Sequence, residues 1–379
     1  MKKIFYIDPQ SMINLARYDY SLLNGIDLPV CYFCSKYYDA AVNPRIAYKR
    51  VFAYSKMSSN WMKAVSYIGS WLLILLNAII LRPKVVHIQW FRIPQFDYVM
   101  VRLLQCLFRI RVVYTAHNIL PHQGNESKSV EPFRKAYQRF DRIIVHSQTT
   151  KQELAVTFHV PANRIEVIRH GILPINVDDA QYNACKESLD RKYAALRGKI
   201  VFSALGYQNF YKGTDLLARV WAETPELRNN RDIVLLIVGK VNEARMDLSM
   251  LEGIDNVVID CRRIPDEEFV YLLRHTSVYL LPYREISQSG AMLTVLTERV
   301  PLLVTNVGSL AEPLSVAPVG WKIQRADEGE LRKALLHILD HQEEIDAIRA
   351  DDEAWAKVCA FYDWQQISRQ TQLLYESLL

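Results

Sequence analysis

The loop LGYQNFYKG, residues 205–213, contains residue types that bind a phosphate group. It follows an apolar run that predicts a strand, and it precedes the helical segment TDLLARVW. Gly206 allows a tight turn and a close backbone approach, and Lys212, after Tyr211, offers a positive charge to a diphosphate. The loop is neither a Walker sequence nor a G-x-G-x-x-G fingerprint. Taken alone, it also fits an ordinary loop before a helix.

A second segment, PYREISQSGAMLTVLTE at 282–298, suits both a phosphate and a sugar. Ser287 or Ser289 can cap the helix that follows, and Ser289-Gly290-Ala291 would then present free backbone N–H groups to an anion. The Glu285 carboxylate only accepts hydrogen bonds, which suits sugar hydroxyls better than phosphate. An ordinary capped helix fits the same pattern. Because both segments follow predicted strands of one domain, together they predict a nucleoside diphosphate site.

Polar residues also follow the predicted strands of the first half. Asp8 follows KKIFYI, His117 and Asn118 follow RVVYTA, and His122 lies just beyond. Asp8 and His117 are candidates for a general base. The remaining strand-end histidines, at 87, 146 and 170, are expected to pack or hydrogen-bond there. No pattern of carboxylates or histidines suggests a metal, so we expect neither a metal nor a cofactor.

The elements that position these residues are apolar runs alternating with helical stretches. Runs of Val, Ile and Leu without polar alternation are typical of parallel strands covered on both faces, as in doubly wound α/β sheets. Two sets of such runs flank a polar stretch at 178–198. We therefore expect two Rossmann-like domains, residues 1–175 and 199–360, that face each other across a cleft, with a linker at 176–198.

The charge is distributed unevenly along the chain. Of 379 residues, the first 150 include 20 Lys and Arg against 8 Asp and Glu, a balance of +12, whereas the rest include 26 against 33, a balance of −7. A basic half predicts a polyanionic partner for one domain only. Anionic lipid fits better than nucleic acid, which would not explain the phosphate and sugar segments of the second half. Low Gly and Pro content and 50% hydrophobic residues exclude a disordered chain.

Two segments of the first half bear on membrane contact. Residues 64–81 are uncharged and predict a helix that packs in the domain or lies at a membrane interface, with a membrane span as the alternative. Residues 100–115 place Arg102 and Arg109 beside apolar residues, which fits a surface helix on a membrane or an ordinary amphipathic helix. The start MKKIFYID predicts a strand rather than a signal peptide, and six scattered cysteines predict reduced thiols, both favouring the cytoplasm.

Several motifs together resemble bacterial glycosyltransferases of the GT-B fold, and most closely the GT4-type enzymes of exopolysaccharide and capsule assembly. The resemblance extends over roughly residues 80–310. The last helix, within 361–379, resembles the one that returns to the N-terminal domain in this family. The motifs are HNILPHQ (117–123), VHS (145–147), VIRHG (167–171), YKG (211–213), RIPDEEFVYLLRHTSVYLLPYR (263–284) and SQSG (287–290).

The resemblance implies a role for each matching residue. His117 corresponds to the histidine that reaches the donor sugar, and Lys212 to the lysine at the donor diphosphate. Glu285 corresponds to the first Glu of the E-x7-E motif, which contacts the transferred sugar. Arg263 and Ile264 lie where the base-reading loop of the family falls, and Ser289-Gly290 correspond to the turn that binds phosphate. The remaining donor-site candidates are Gly206, Tyr211, Ser287, Gln288 and Ala291.

The sequence departs from the family pattern at three places. The second Glu of the motif is replaced by Leu293 or Thr294, depending on the alignment. The arginine common before YKG is missing from 206–211, and DPQSMIN (8–14) stands where a Gly-rich loop is usual. These departures put the ribose and diphosphate contacts in question.

The resemblance and the residues imply a metal-independent, retaining glycosyltransferase. If the reaction inverts the sugar carbon instead, Asp8 and His117 are the candidates for its general base. The acceptor-side candidates are Asp8, Asn118 and His122.

The enzyme would move a sugar from a nucleotide diphosphate sugar, UDP rather than GDP, to a lipid-linked or other saccharide acceptor. It would sit at the inner face of the plasma membrane through its basic N-terminal domain, with no nucleic acid partner. The alternatives are a nucleotide-sugar epimerase or hydrolase on the same scaffold and a non-catalytic, membrane-recruited GT-B homologue.

Overall fold

The computed structural model describes residues 4–119, 126–175, 177–241 and 246–379, without the side chains of 126–129 and 132. The chain forms two compact units. The first comprises Met1–Gly171 and Tyr362–Leu379, and the second comprises Ile172–Phe361.

Each unit is built on a parallel β-sheet. In the first unit, seven strands pair in the order β3-β2-β1-β4-β5-β6-β7, and in the second, six pair in the order β10-β9-β8-β11-β12-β13. The strands are β1 Ile4–Ile7, β2 Val30–Ser35, β3 Ala47–Phe52, β4 Val85–Ile88, β5 Arg111–Thr115, β6 Arg142–Val145, β7 Ile165–Val167, β8 Ile200–Leu205, β9 Ile233–Val238, β10 Val257–Asp260, β11 Val278–Leu281, β12 Leu302–Thr305 and β13 Gly320–Ile323.

Helices connect the strands and cover the sheets. They are α1 Asn14–Asn24, α2 Asn60–Leu81, α3 Pro94–Phe108, α4 Glu126–Tyr137, α5 Gln148–Phe158, α6 Asp179–Lys192, α7 Thr214–Glu223, α8 Pro225–Arg228, α9 Asp266–Arg274, α10 Gly290–Val295, α11 Glu312–Val316, α12 Glu328–Asp340, α13 Glu343–Ala350, α14 Asp352–Phe361 and α15 Trp364–Glu376.

The predicted fold class, α/β with two doubly wound parallel sheets, is confirmed. The central strands are buried along their whole length, as in β9, where all six residues are inaccessible. Sequence periodicity predicted the edge strands β7 and β10 but missed the other two edge strands, β3 and β13. Both carry exposed charged residues, Lys49 and Arg50 on β3 and Lys322 on β13, so neither forms a continuous apolar run.

The segment expected to be a linker, 176–198, contains helix α6 and belongs to the second unit. Asp178 caps the helix by accepting from the Ala180 and Gln181 backbone N–H groups. At the other end, Lys192 Nζ lies 2.8 Å from both Asp260 and Glu268. These ion pairs fix α6 against α9 and the end of β10, so the stretch is an ordered element.

The C-terminal helix α15 packs on the first unit, beside α1. Ser368 Oγ donates to the Leu22 carbonyl at 2.7 Å, and the Asp27 backbone N–H donates to Gln372 Oε1 at 2.8 Å. The close approach depends on Gly25, because a Cβ there would lie 2.6 Å from the Ser368 Cβ. The end of the chain is therefore part of the first unit's core.

Replacing Gly25 by alanine is expected to destabilise the protein by about 1–3 kcal/mol, because the added methyl forces α1 and α15 apart. Gly69→Ala in α2 is the matched control, since a Cβ at Gly69 meets nothing within 4 Å. That change is expected to stabilise the helix by roughly 0.5–1 kcal/mol. Urea unfolding of both full-length variants measures the difference. Equal stabilities would show that the contact with Ser368 does not hold α15 in place.

Candidate functional site

The loop after β8 is held in shape from within. Gly206 has a φ of +94°, and a Cβ at Gly239 would lie only 1.9 Å from the Gly206 carbonyl oxygen, so the ends of β8 and β9 approach closely. The Gln208 amide donates to the Ala204 and Gly206 carbonyls at 3.0 and 2.9 Å. Its oxygen accepts from Thr214 Oγ1 at 2.6 Å. The loop is thus a braced turn at the carboxyl end of the sheet.

Lys212 lies at the end of this loop, in a short 3₁₀ turn, Phe210–Lys212. Its ammonium group is 5.6 Å from the centre of the Tyr283 ring, and no carboxylate within the described residues pairs with it. Burial lowers the pKa of Lys212 to about 8, because the charged form loses its hydration. A partly buried cation without a counter-charge is suited to receive an anionic ligand.

A backbone contact between two loops positions Lys212. Gly213 has a φ of +69°, and a Cβ there would lie 2.1 Å from the Pro282 carbonyl oxygen. The Arg284 backbone N–H also donates to the Tyr211 carbonyl at 2.7 Å. The loop after β8 and the loop after β11 therefore form one structure.

Arg284 does not take the place of the arginine missing before YKG. Its guanidinium donates two hydrogen bonds of 2.7 Å to Asp215 and lies 4.0 Å from the Phe210 ring. Because Asp215 neutralises this charge, Lys212 is the cation of this loop pair that has no carboxylate partner in the described chain.

The segment expected to hold the phosphate begins helix α10. Ser289 caps this helix, its Oγ accepting from the Met292 backbone N–H at 3.3 Å. Gln288 Oε1 accepts from Ser309 Oγ at 2.7 Å, which fixes the turn before the helix. Ser287 and Ala291 are half-buried, whereas Glu285 and Gly290 are exposed. The helix is only six residues long, so its N-terminal dipole is small.

The position of the second family Glu carries no carboxylate. Leu293 is fully buried in the core, and Thr294 Oγ1 donates to the Gly290 carbonyl of its own helix at 3.1 Å. Glu298 lies further along and pairs with Arg274 at 3.2 Å. The expected base-reading residues, Arg263 and Ile264, lie in the connection between β10 and α9, Arg263 exposed and Ile264 half-buried.

In the first unit, His117 lies in a group of aromatic residues at the carboxyl ends of the strands. Its ring stacks on Trp90, with centroids 4.7 Å apart and planes 7° apart. Tyr18 contacts the same ring edge-on at 4.9 Å. Trp90 Nε1 is buried, and no acceptor for it is present in the described residues. The stack holds the imidazole in one orientation.

A chain of hydrogen bonds occupies both nitrogens of His117. His146 Nδ1 donates to the Ile168 carbonyl at 2.9 Å, so neutral His146 accepts at Nε2 from His117 Nδ1, 3.1 Å away. His117 Nε2 then needs a donor, and the Gln89 side-chain amide faces it with Oε1 at 2.7 Å. Because the oxygen and the nitrogen of an amide have nearly the same shape, turning this amide by 180° places its nitrogen at His117 and supplies the donor.

The chain continues from Gln89 to His87, whose Nε2 is 3.1 Å from the Gln89 amide. The Tyr375 hydroxyl on α15 donates to His87 Nδ1. Burial lowers the pKa of His87 to about 3 and that of His146 to about 4, and it also lowers the pKa of His117. The histidines are therefore neutral at pH 7, and the chain fixes their tautomers.

Asp8, the other general-base candidate, is 1% exposed and bonded within its own loop. Its Oδ1 accepts from the Gln10 backbone N–H at 2.7 Å, and its carboxyl is hydrogen-bonded to Asp19. Burial raises the pKa of Asp8 to about 6 and that of Asp19 further. Because two buried carboxyl groups share a proton here, Asp8 is not a free base.

The loop after β1, residues 8–14, includes a backbone conformation that is usually adopted by glycine. Ile13 has a φ of 53° and a ψ of −122°, a strained conformation for a β-branched residue. The Ile13 N–H donates to Asp39 at 2.9 Å, which helps to hold that turn. Asn118 lies half-buried beside His117, and His122 falls outside the described residues.

The structure thus groups the predicted residues within each unit. Lys212, Tyr211 and Gly206 share the braced loop pair with Glu285 and the 287–291 turn, and His117 and Asn118 share the strand ends of the first unit. Sequence reasoning missed Trp90 and Gln89 as partners of His117. Both residues come directly after the buried run KVVHI, so their position at the end of a predicted strand could have indicated them. It also missed the Arg284–Asp215 pair, which joins residues 69 positions apart.

No group of three or more His, Cys, Asp or Glu side chains in the described part of the chain is arranged to hold a metal ion. Cys31 and Cys34 are buried on β2 as free thiols, and burial raises the pKa of Cys34 to about 12. These two residues therefore belong to the sheet interior.

Comparison with known families gives two matches. The family model described as Glycosyltransferase Family 4 matches residues 27–174, and the one described as Glycosyl transferases group 1 matches residues 198–341. An uncharacterized glycosyltransferase of Methanocaldococcus jannaschii is 20% identical over 248 residues. The matched region spans 62% of this chain and 60% of that relative.

Solved structures share the fold over the whole chain. Sucrose-phosphate synthase from Thermosynechococcus elongatus is similar with a TM-score of 0.72 at 16% identity, covering 100% of this chain and 99% of the other. Anabaena HepE, solved in complex with UDP-glucose, has a TM-score of 0.70 at 13% identity, covering 100% of both chains. At these identities the similarity establishes the fold.

The neutral histidines predict that the protein loses stability in acid. Below pH 6.5 the unfolded chain binds protons at His87, His117, His146 and His170 that the folded chain excludes, so stability present at pH 7 is lost as pH falls. The raised pKa values of Asp8 and Asp97, both about 6, and the raised pKa of Asp19 act oppositely, since the stability that these protonated carboxyls contribute in acid is lost as pH rises above about 4. Four histidines outweigh three carboxyls, leaving a net loss of roughly 1–2 kcal/mol per pH unit between pH 6.5 and 5.

Urea unfolding at several pH values measures this slope. His146→Gln is expected to reduce it by about 1.4 kcal/mol per pH unit, because one titrating group is removed. The control is Gln365→Asn on the exposed side of α15, which changes no titrating group and should leave the slope unchanged. A parent slope near zero would show that the buried histidines are charged in the folded state.

Proposed function

The chain is a GT4-like glycosyltransferase of the GT-B fold, and from this premise we propose that it transfers a sugar from a UDP-sugar to a saccharide acceptor held at a membrane surface. The donor would bind the second unit, at the loops after β8 and β11. The reaction would retain the configuration of the transferred carbon and need no metal.

The observation that carries the proposal is the partly buried, uncompensated charge of Lys212. Holding an ammonium group there costs stability, as its lowered pKa shows, unless an anion binds. Asn209 Oδ1 in the same loop is also buried, and the described residues give it no donor. A donor and an acceptor left open in one braced loop fit a ligand that has both phosphate oxygens and hydroxyl groups.

The role of Lys212 in the reaction depends on where negative charge develops as the bond to the sugar breaks. That charge grows on the leaving diphosphate, and a preorganised cation in a site of low polarity stabilises it. Lys212 supplies that cation, and the backbone N–H groups at 289–291 supply further donors. Glu285 is exposed at the same loop and would accept from hydroxyls of the transferred sugar.

The choice of UDP rests on the fold relative HepE, which has been solved with UDP-glucose. The retaining outcome is supported by the state of the two general-base candidates. Both ring nitrogens of His117 are engaged, and Asp8 is buried in a shared-proton pair. An inverting reaction through either group would first have to break those hydrogen bonds.

The acceptor side of the proposal rests on the first unit. Its basic charge and its exposed apolar helix suit a lipid-linked saccharide presented at an anionic surface, which would place the protein at the inner face of the plasma membrane.

One observation favours a second candidate, a non-catalytic homologue. Neither Leu293, which is buried, nor Thr294, which is bonded to its own helix, offers the carboxylate that the family uses for ribose, so ribose binding has to come from elsewhere.

Replacing Lys212 by methionine is expected to separate stability from binding. The free protein should become more stable by roughly 1–3 kcal/mol at pH 7, because a buried charge is replaced by an apolar chain of similar length. UDP affinity should fall about 10–100-fold, since a charge-assisted contact of about 1.5–3 kcal/mol is lost. Calorimetric titration with UDP and with GDP measures the second effect, and urea unfolding the first.

Lys333→Met, on the exposed side of α12, is the matched control and should change neither quantity. UDP binding as tight in Lys212→Met as in the parent would remove Lys212 from the donor site. UDP binding by the parent without any turnover of UDP-sugars, over a panel of acceptors, would favour the non-catalytic homologue.

A further inference from the structure

Helix α2 of the first unit is apolar on two opposite sides. Tyr67, Trp71, Ile74 and Ala78 recur every three or four residues on the side that packs in the core. At 100° per residue, Leu72 and Leu76 lie on roughly the opposite side of the helix. A surface helix of a globular protein is expected to be polar there.

The side away from the core carries a continuous exposed apolar stripe. Leu72, Leu76 and Ile80 are 60%, 51% and 68% exposed, and only 28% of the most apolar 18-residue window of α2 is buried. The mean hydropathy of that window is 2.1. The exposed large apolar residues on α2 are Trp61, Met62, Val65, Ile68, Leu72, Leu73, Leu76, Ile79 and Ile80.

The core side of α2 is fixed to α3 by buried hydrogen bonds. The Tyr67 hydroxyl and Trp71 Nε1 both donate to Asp97 Oδ1, at 2.7 and 3.0 Å. The other Asp97 oxygen accepts from the backbone N–H groups of Arg92 and Ile93, each at 2.7 Å. Although α2 is long and apolar enough to cross a membrane, crossing would break these bonds and open the core of the first unit.

The chain around α2 is strongly basic. Between residues 40 and 125 there are 11 Lys and Arg residues and one acidic residue, Asp97, which is the buried partner of α2. Lys63 lies near the start of the apolar stripe, after Trp61 and Met62, and Arg82 follows its end. Arg82 and Arg109, which end α2 and α3 in the left-handed conformation, are both exposed. An apolar stripe with a basic border matches an anionic lipid surface in both polarity and charge.

We propose that α2 lies in the plane of an anionic phospholipid bilayer, with its exposed stripe inserted among the lipids and its opposite side in the protein core. The helix of 22 residues would give a contact line of about 33 Å. Trp61, 69% exposed at the start of the stripe, suits the interfacial region. A second copy of the chain fits this surface less well, because two basic borders would repel each other.

The inference rests on the proposed function only for its purpose, which is to bring the chain to a lipid-linked acceptor. Vesicle binding is measured without donor or acceptor, and donor binding is measured without vesicles. Failure of one therefore leaves the other standing.

The test is flotation of the full-length protein with two kinds of vesicle. One is phosphatidylcholine alone, and the other contains about 30% of the anionic lipid phosphatidylglycerol. The parent should float with the anionic vesicles, and 0.5 M salt, roughly sufficient to screen surface charge, should weaken binding. Leu76→Gln/Ile80→Gln should weaken it at least about tenfold, since two apolar side chains lose their burial in lipid. Val156→Gln/Leu373→Gln, at residues 73% and 53% exposed elsewhere on the first unit, is the matched control.

The charge is tested separately. Lys63→Gln/Arg82→Gln should weaken binding to anionic vesicles, and Lys322→Gln/Lys333→Gln, which removes the same charge from exposed positions of the second unit, should not. Equal binding by the stripe variant and its control would overturn the proposal, as would a parent that does not bind. A parent that is dimeric in light scattering, with a stripe variant that is monomeric, would assign the stripe to a second copy instead.

Discussion

The contact between Gly213 and the Pro282 carbonyl is the constraint on which the second unit's site depends. A side chain at residue 213 would collide with that oxygen, so only glycine lets the loops after β8 and β11 meet. Where they meet, Lys212 is partly buried over Tyr283 and its charge has no carboxylate partner in the described chain. The Gln208 and Arg284 contacts hold this arrangement in the free protein. The loop pair is therefore suited to an anionic ligand, as the proposed function requires.

In the first unit, the candidate site is built from neutral histidines rather than from a charged side chain. Four histidines lie at the strand ends, two of them buried and two half-buried. Hydrogen bonds with Gln89 and Tyr375 fix which nitrogen of His87 and His117 carries the proton, and backbone carbonyls do so for His146 and His170. His117 thus presents a fixed, uncharged ring stacked on Trp90. Because α15 supplies Tyr375, the end of the chain is coupled to the orientation of a residue at the candidate site.

Local sequence was sufficient to predict the sheets and the residues that follow their strands. Buried strands are recognisable as apolar runs, whereas the edge strands β3 and β13 are not, because their outer residues face water. The burial of Lys212 could not be predicted, since it depends on Pro282 and Tyr283, which are about 70 positions away. Nor could the sequence separate the core side of α2 from its exposed side, because both are apolar. Only packing against Asp97 distinguishes them.

The most direct test of this account is an NMR titration of the Lys212 ammonium group in the full-length protein, with the signal assigned by its loss in Lys212→Met. The account predicts a pKa near 8 in the free protein, as burial without a partner requires, and a clear rise when UDP is bound. An ordinary lysine pKa of about 10.4 that UDP leaves unchanged would contradict it, because Lys212 would then be neither buried as a charge nor in contact with the diphosphate.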